Sequence, residues 1–217
     1  MILLALLEKS GEPDRDGARG GARRTDRPPE SDDVVRRIRE GDQEAFEFLF
    51  TRYHHPLIQF SLSMVRSREF ARDIVQDVFL KIWKNREQLF VHTDVRVYLF
   101  QSVRNQSLNL IERNRSRQKL EEPFDPPEPV FPSDRSLTGE LEEFSDEERR
   151  RHRLVRRVWE EVALMPERRR LVFELHKRHG LSYKEISEVC SISLKTVENH
   201  IGQALVHLRE RLRDELR

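Results

Sequence analysis

The sequence is poor in the features that mark secreted and membrane proteins. Only one of its 217 residues is a cysteine, Cys190, so the chain can form no internal disulfide and no thiolate-rich zinc site. We expect Cys190 to be a small buried packing residue. A single cysteine also suits a protein of a reducing compartment. The apolar start, residues 1–7, is too short to span a bilayer and lacks the features of a secretion signal. We therefore expect a cytoplasmic protein without direct membrane insertion.

Sequence patterns of common enzyme sites are also missing. The close histidine sets, His54-His55 and His176 with His179, lie outside any HExxH pattern, and there is no glycine-rich phosphate loop. Surface or packing roles suit these histidines better than metal binding or hydrolysis. We expect no enzymatic activity, hence no catalytic or metal-binding residue, no cofactor and no small-molecule substrate.

The net charge of +1 conceals a segregation of charge along the chain. Residues 32–120 carry 16 Lys/Arg against 12 Asp/Glu, and residues 151–217 carry 15 against 10, whereas residues 121–148 carry 11 acidic residues against one basic residue. The two basic modules are suited to a polyanion. The acidic segment would be repelled by a polyanion, so it must stay in solvent or meet a basic protein surface.

Strand-like alternation is not evident, and the helical periodicity predicts an all-α protein of two small helical domains joined by an acidic, proline-rich linker. Residues 1–30 mix Gly, Pro, Arg and Asp without periodicity, so we expect a disordered tail there. The first helical domain is expected at 31–120 and the second at 150–217, with 121–149 as a flexible tether.

Helical spacing of apolar residues also predicts the individual helices of the first domain. The first is expected from Val34 to Gly41, and the second from its cap Asp42 to Val65 with an interruption near Pro56. A third is expected over 71–83. The fourth is expected to begin after its cap, Asp94, and to run from Val95 to about Arg115.

The most distinctive segment lies near the carboxyl terminus, where two short helices are predicted around a tight turn. Ser182 and Glu185 form a capping box that begins the first helix. The pattern breaks over 190–193, and Ser193 can cap a second helix with apolar positions at helical spacing. Such a pair is typical of a DNA-reading helix-turn-helix, although a solvated helical hairpin would show the same pattern.

The second of these helices keeps one side polar, as a helix that enters a major groove must. Its polar side chains can meet phosphates and base edges. They are Lys195, Thr196, Glu198, Asn199, His200 and Gln203.

The helix that starts at Val95 combines apolar residues with cations and amides. Tyr98 and Phe100 add flat rings beside them. Rings next to cations and amides suit a single nucleic-acid strand, because bases stack on rings while phosphates meet Arg and Lys. The alternative, that the rings belong to the core and the amides to a wetted face, stays open.

The order of these features resembles the sigma-70 family of bacterial transcription initiation factors, and specifically its small two-domain extracytoplasmic-function (ECF) group. The resemblance depends on motifs in both predicted domains, taken together in this order. No single motif is sufficient, because the last of them also occurs in response regulators. The motifs are residues 71–83, Tyr98-Leu99 with 103–105 and 108–109, 164–168, and 181–186 with 195–199.

The resemblance implies that the chain binds core RNA polymerase at its clamp and flap, recognises promoter DNA, opens the strands and directs transcription initiation. For contact with the polymerase it implies Asp73, Gln76, Asp77, Phe79 and Lys81. For the promoter −10 element it implies His92, Arg96, Tyr98, Arg104, Asn105, Asn109 and Arg113. For the −35 element it implies the six polar residues named above, Lys195 to Gln203.

Two positions depart from the family pattern. Tyr98 stands where the family usually has Trp, which keeps a ring, and Asn109 stands where it usually has Asp, which loses a carboxylate. Whether an anti-sigma factor holds the chain inactive is left open by the sequence. The alternative function is an operator-binding regulator of the response-regulator type, which would need a βαβ receiver domain where residues 32–117 predict helices.

Overall fold

The computed structural model describes residues 29–91, 94–118 and 145–213, and the regular structure in these ranges is helical. The predicted all-α class is therefore confirmed. Most of the predicted tail and acidic linker lies outside the described residues. Within them, no helix has the length and apolar character needed to cross a membrane.

The helices are numbered here in chain order. A single turn of 3-10 helix, Arg86–Gln88, follows the third of them. The α-helices are α1 (Pro29–Arg39), α2 (Gln43–Val65), α3 (Arg68–Lys84), α4 (Val95–Gln118), α5 (Asp146–Ala163), α6 (Glu167–Lys177), α7 (Tyr183–Cys190) and α8 (Leu194–Arg211).

Side-chain caps begin α2, α3 and α4, where the sequence offers an Asp or Ser. The carboxylate of Asp42 accepts from the Ala45 amide at 3.1 Å, and Ser67 caps α3 in the same way. Asp94 accepts from the Arg96 amide at 2.7 Å as α4 begins. Each cap satisfies a backbone donor that the first helical turn leaves free, and the predicted caps at Asp42 and Asp94 are confirmed.

The predicted interruption at Pro56 is wrong, because α2 continues through it from Gln43 to Val65. Proline removes one backbone hydrogen bond from a helix interior. Two residues that follow it, Leu57 and Phe60, are completely buried. Their burial stabilises the continuous helix against that local cost.

Two helices also begin earlier than expected. Helix α1 starts at Pro29 rather than near Val34, and α5 starts at Asp146, inside the segment that was expected to be a flexible tether. Proline suits the first turn of a helix, where its missing N–H is not needed. Acidic residues in general favour the first turn of a helix, because the amino terminus is the positive end of the helix dipole.

By their contacts the described helices divide into two compact units. The first holds α1 to α4 together with Lys184–Ile192, and the second holds the described residues of 145–183 and 193–213. The expected second domain, 150–217, included all of α7. The contacts instead group most of α7 with the first unit.

In the first unit, α2 packs against both α3 and α4. The Phe60 and Phe100 rings meet at 5.2 Å between centroids, and both are buried. Phe100 is thus a core residue, whereas Tyr98 is only half-buried.

In the second unit, α8 contacts both α5 and α6. Glu161 of α5 is buried, and its carboxylate accepts a hydrogen bond from Nε of Arg211 at 3.0 Å. Arg178 lies over the Trp159 ring at 4.0 Å. The Glu161–Arg211 hydrogen bond therefore ties α8 to α5, and the Arg178–Trp159 contact joins the end of α6 to α5.

A buried polar pair links α2 to α4. The hydroxyl oxygens of Ser61 and Ser107 lie 3.1 Å apart, and both residues are fully buried. Removal of one hydroxyl leaves the other without its partner, whereas removal of both leaves no buried polar group from the pair.

We therefore predict that Ser107→Ala lowers the free energy of unfolding of the first unit by about 1–3 kcal/mol, while Ser61→Ala/Ser107→Ala recovers most of the loss. Urea unfolding monitored by Trp83 fluorescence measures this, in a Trp159→Phe background that removes the second of two tryptophans. A double variant as unstable as the sum of the two single variants would contradict the pairing.

Candidate nucleic-acid interface

Two helices joined by a tight turn form the predicted helix-turn-helix. Ser191 adopts a left-handed conformation with φ 54° directly after α7, and the Ile192 amide donates to the Ser187 carbonyl at 3.1 Å. Ser193 then caps α8, because its hydroxyl accepts from the Thr196 amide at 3.1 Å. The turn and the second cap therefore lie where the sequence predicts them.

Helix α8 has one apolar side and one polar side. Its buried residues are Val197, Ile201, Ala204 and Leu208. Of the six predicted DNA-contacting residues, Lys195, Glu198, Asn199 and Gln203 are exposed, and Thr196 and His200 are half-buried. The structure thus brings all six to one helix and leaves four of them accessible.

Several of these polar side chains already have partners within the protein. Nζ of Lys195 donates to Glu198 at 3.1 Å, and the Thr196 hydroxyl lies 2.8 Å from that of Ser193. Nη2 of Arg169 donates to Oε1 of Gln203 at 2.7 Å. Asn199 is exposed on the same helix.

The arginines at the start of α6 complete this surface, and the sequence analysis missed them. Burial lowers the pKa of His200, and the nearby charges of Arg169 and Arg168 lower it further. His200 is therefore neutral at pH 7, and the arginines carry the positive charge beside it. The available signal in the sequence was the run Arg168-Arg169-Arg170, although Arg169 is 34 residues from its partner Gln203.

Cys190, at the end of α7, is buried as expected. Burial raises the pKa of its thiol to about 11. The thiol therefore stays protonated at neutral pH and is a packing group of the turn, since the thiolate is the reactive form.

The predicted −10 residues of α4 differ in their exposure. Asn105, Asn109 and Arg113 are exposed, while Arg96, Tyr98 and Arg104 are half-buried. The exposed ring Phe90 lies in the preceding loop and was not among the predicted site residues. His92 lies outside the described residues.

On α3, four of the five predicted polymerase-contacting residues are exposed: Asp73, Gln76, Asp77 and Lys81. The fifth, Phe79, differs from them because its side chain is 2% exposed. Its ring packs at 5.0 Å from Phe50 and 6.0 Å from Phe46, between centroids. The exposed large apolar residues on this helix are Leu80, at 52%, and Phe70, at 43%.

A helical bundle followed by a helix-turn-helix defines a DNA-binding protein of modular design. Two family models match it in that order: the Sigma-70 region 2 model matches residues 49–117, and the Sigma-70 region 4 model matches residues 156–208. The chain belongs to the sigma-70 family, in its ECF group.

Similar curated proteins include two bacterial sigma factors. The ECF RNA polymerase sigma-E factor of Escherichia coli (strain K12) is 25% identical over 173 residues, which cover 79% of this chain and 88% of that protein. The RNA polymerase sigma-H factor of Pseudomonas aeruginosa is 24% identical over 197 residues, covering 85% and 94%.

Two solved structures share the fold. CnrH in complex with the cytosolic domain of CnrY has a TM-score of 0.57 and 22% identity, covering 85% of this chain and 98% of that one. The sigma factor RpoE in complex with the anti-sigma factor NepR from Bartonella quintana has a TM-score of 0.58 and 20% identity, covering 77% and 96%.

The cap of α8 yields a stability prediction. Ser193→Ala should lower the free energy of unfolding of the second unit by about 1 kcal/mol, because the Thr196 amide loses its side-chain acceptor. Trp159 fluorescence during urea unfolding measures this in a Trp83→Phe background. Ser193→Asn is the matched control and should keep near wild-type stability, since asparagine caps as well as serine. Equal loss in both variants would show that the cap is not the cause.

Proposed function

We propose that this ECF sigma factor binds core RNA polymerase through α3, contacts the opened −10 element through α4 and reads the −35 duplex through α8. The observation that carries the proposal is the polar side of α8, which is exposed opposite a buried apolar side. A region 2 match followed by a region 4 match supports the same division of labour. The factor is proposed to act as a non-catalytic subunit in the cytoplasm.

The proposed polymerase surface consists of the exposed α3 residues. Asp73 and Asp77 are four residues apart and so lie on the same side of the helix. Lys81 follows one turn later, and Leu80 adds apolar area beside them. Buried residues such as Phe79 fix the helix from beneath, so the surface is presented by a rigid element.

The proposed −35 surface is a row along α8. Lys195, Asn199 and Gln203 are spaced by four residues and therefore follow one side of the helix. Lysine supplies phosphate or guanine contacts, and the amide of Asn199 can meet adenine with two hydrogen bonds. Arg168 and Arg169 add positive charge at its edge, where phosphates position the protein.

The proposed −10 surface uses the amino-terminal half of α4 and the residues that follow it. Tyr98 is accessible enough to stack on an unpaired base, and Phe90 is more exposed still. Arg113 and the amides of Asn105 and Asn109 can meet the strand's backbone. A carboxylate at position 109 is absent, so this chain must hold the strand with neutral or positive groups.

An anti-sigma factor is proposed as a further partner. Support comes from the two solved neighbours, one in complex with the anti-sigma factor NepR and the other with the cytosolic domain of CnrY. The alternative operator-binding regulator is not favoured, because the described part of residues 32–117 is helical rather than a βαβ receiver domain.

For the polymerase surface, we predict that Asp77→Lys weakens capture by core RNA polymerase about tenfold, because it reverses a charge within a complementary contact. Titration of labelled chain with core polymerase measures the dissociation constant. The control is Glu47→Lys, which makes the same charge change at an exposed position on α2. Indistinguishable effects of the two variants would remove α3 from the interface.

For the −35 surface, Asn199→Ala should change the preferred upstream duplex by about 1–3 kcal/mol at one base pair if it makes a bidentate contact. Competition binding of the holoenzyme to promoters with single substitutions measures this. Glu210→Ala, near the far end of the same helix, should leave the preference unchanged. An unaltered preference in Asn199→Ala would refute the assignment.

A further inference from the structure

We propose that Arg169 is a positioning residue that fixes the amide of Gln203, so that α8 offers a hydrogen-bond donor there and selects a base with an acceptor edge. Guanine is the expected base, because it presents two acceptors, N7 and O6, in the major groove. The inference rests on the proposed −35 function of α8 and adds a determinant of sequence preference outside that helix.

The contact itself determines which way the amide is turned. Arg169 lies on α6 and Gln203 on α8, and Nη2 is 2.7 Å from Oε1. A guanidinium has donors only, so the atom that faces it must be the amide oxygen. Because oxygen and nitrogen lie on opposite sides of the terminal carbon, the NH2 group is directed away from Arg169.

This orientation changes what Gln203 can recognise. An unrestrained glutamine can meet adenine with two hydrogen bonds, accepting from N6 and donating to N7. That mode requires both amide atoms to be directed at one base. In this chain the oxygen is directed at Arg169, so the side chain can use its nitrogen as a donor alone.

Gln203 is placed where such a choice matters. It is exposed and lies one turn beyond Asn199 on the row that starts at Lys195. A base reader in that row whose amide is preset loses less conformational freedom on binding.

Arg169 keeps this contact at a cost to the fold. Its Nε atom is buried and has no hydrogen-bond partner among the described residues. A buried donor without a partner is destabilising. Of its two neighbours, Arg168 is exposed, and Arg170 donates instead to the Ala163 carbonyl at 3.3 Å. Arg169 therefore differs from the two arginines beside it in having a side-chain contact with Gln203.

The test uses the full chain assembled with core RNA polymerase and a promoter library randomised across the −35 element. Sequencing of bound DNA gives the base preference at each position. Arg169→Ala should shift the preference at one base pair from guanine towards adenine by about threefold or more, because the freed amide can adopt the bidentate mode. Preferences at the other positions should persist, which shows that the variant is folded.

Arg168→Ala is the matched control, since it removes the same charge one residue away. It should weaken binding to all sequences alike and leave the base preference unchanged. Gln203→Ala should abolish the preference at the affected base pair, and adding Arg169→Ala in that background should change nothing further there.

An unchanged profile in Arg169→Ala would overturn the inference, as would a shift that persists in the Gln203→Ala background or appears equally in Arg168→Ala. Failure of the wild-type holoenzyme to select any −35 sequence would overturn the proposed function instead. The two failures are therefore distinguishable in one experiment.

Discussion

The burial of one side of α8 is the constraint on which the proposed recognition of DNA depends. Val197, Ile201 and Leu208 can be removed from water together only if the helix is held in one rotation about its axis. That rotation directs Lys195 and Asn199 outward. The buried carboxylate of Glu161 and the Ser193 cap fix the same helix near its two ends. The proposed recognition residues therefore gain their orientation from packing on the opposite side of the helix.

The same principle organises α3, where a buried stripe determines which side chains remain for a partner. Val75, Val78 and Phe79 are in the core, so the acidic and amide groups between them are outside. Charge on both proposed surfaces is thus carried by rigid helices. Rigid presentation lowers the conformational cost of association, which suits a factor that must engage a large enzyme and a promoter together.

Features that depend on neighbouring residues could be predicted from the sequence, whereas contacts between residues far apart in the chain could not. Asp42, Asp94 and Ser193 act within one helical turn, so their caps could be read from the sequence. The spacing of Phe79 with Val75 and Ile82 indicates burial, and all three side chains are buried. Pro56 was misjudged because tertiary burial outweighs local propensity. The contact between Arg169 and Gln203 joins residues 34 positions apart, so no local sequence pattern predicts it.

The central claim is that the exposed side of α8 lies on the −35 duplex while the chain is bound to polymerase. A photo-crosslinking amino acid at position 199, in the complex of the full chain with core RNA polymerase and promoter DNA, tests it most directly. We predict crosslinks to the −35 duplex that require the polymerase and are absent when the probe is at position 210. No crosslink from position 199, or equal crosslinking from both positions, would contradict the account.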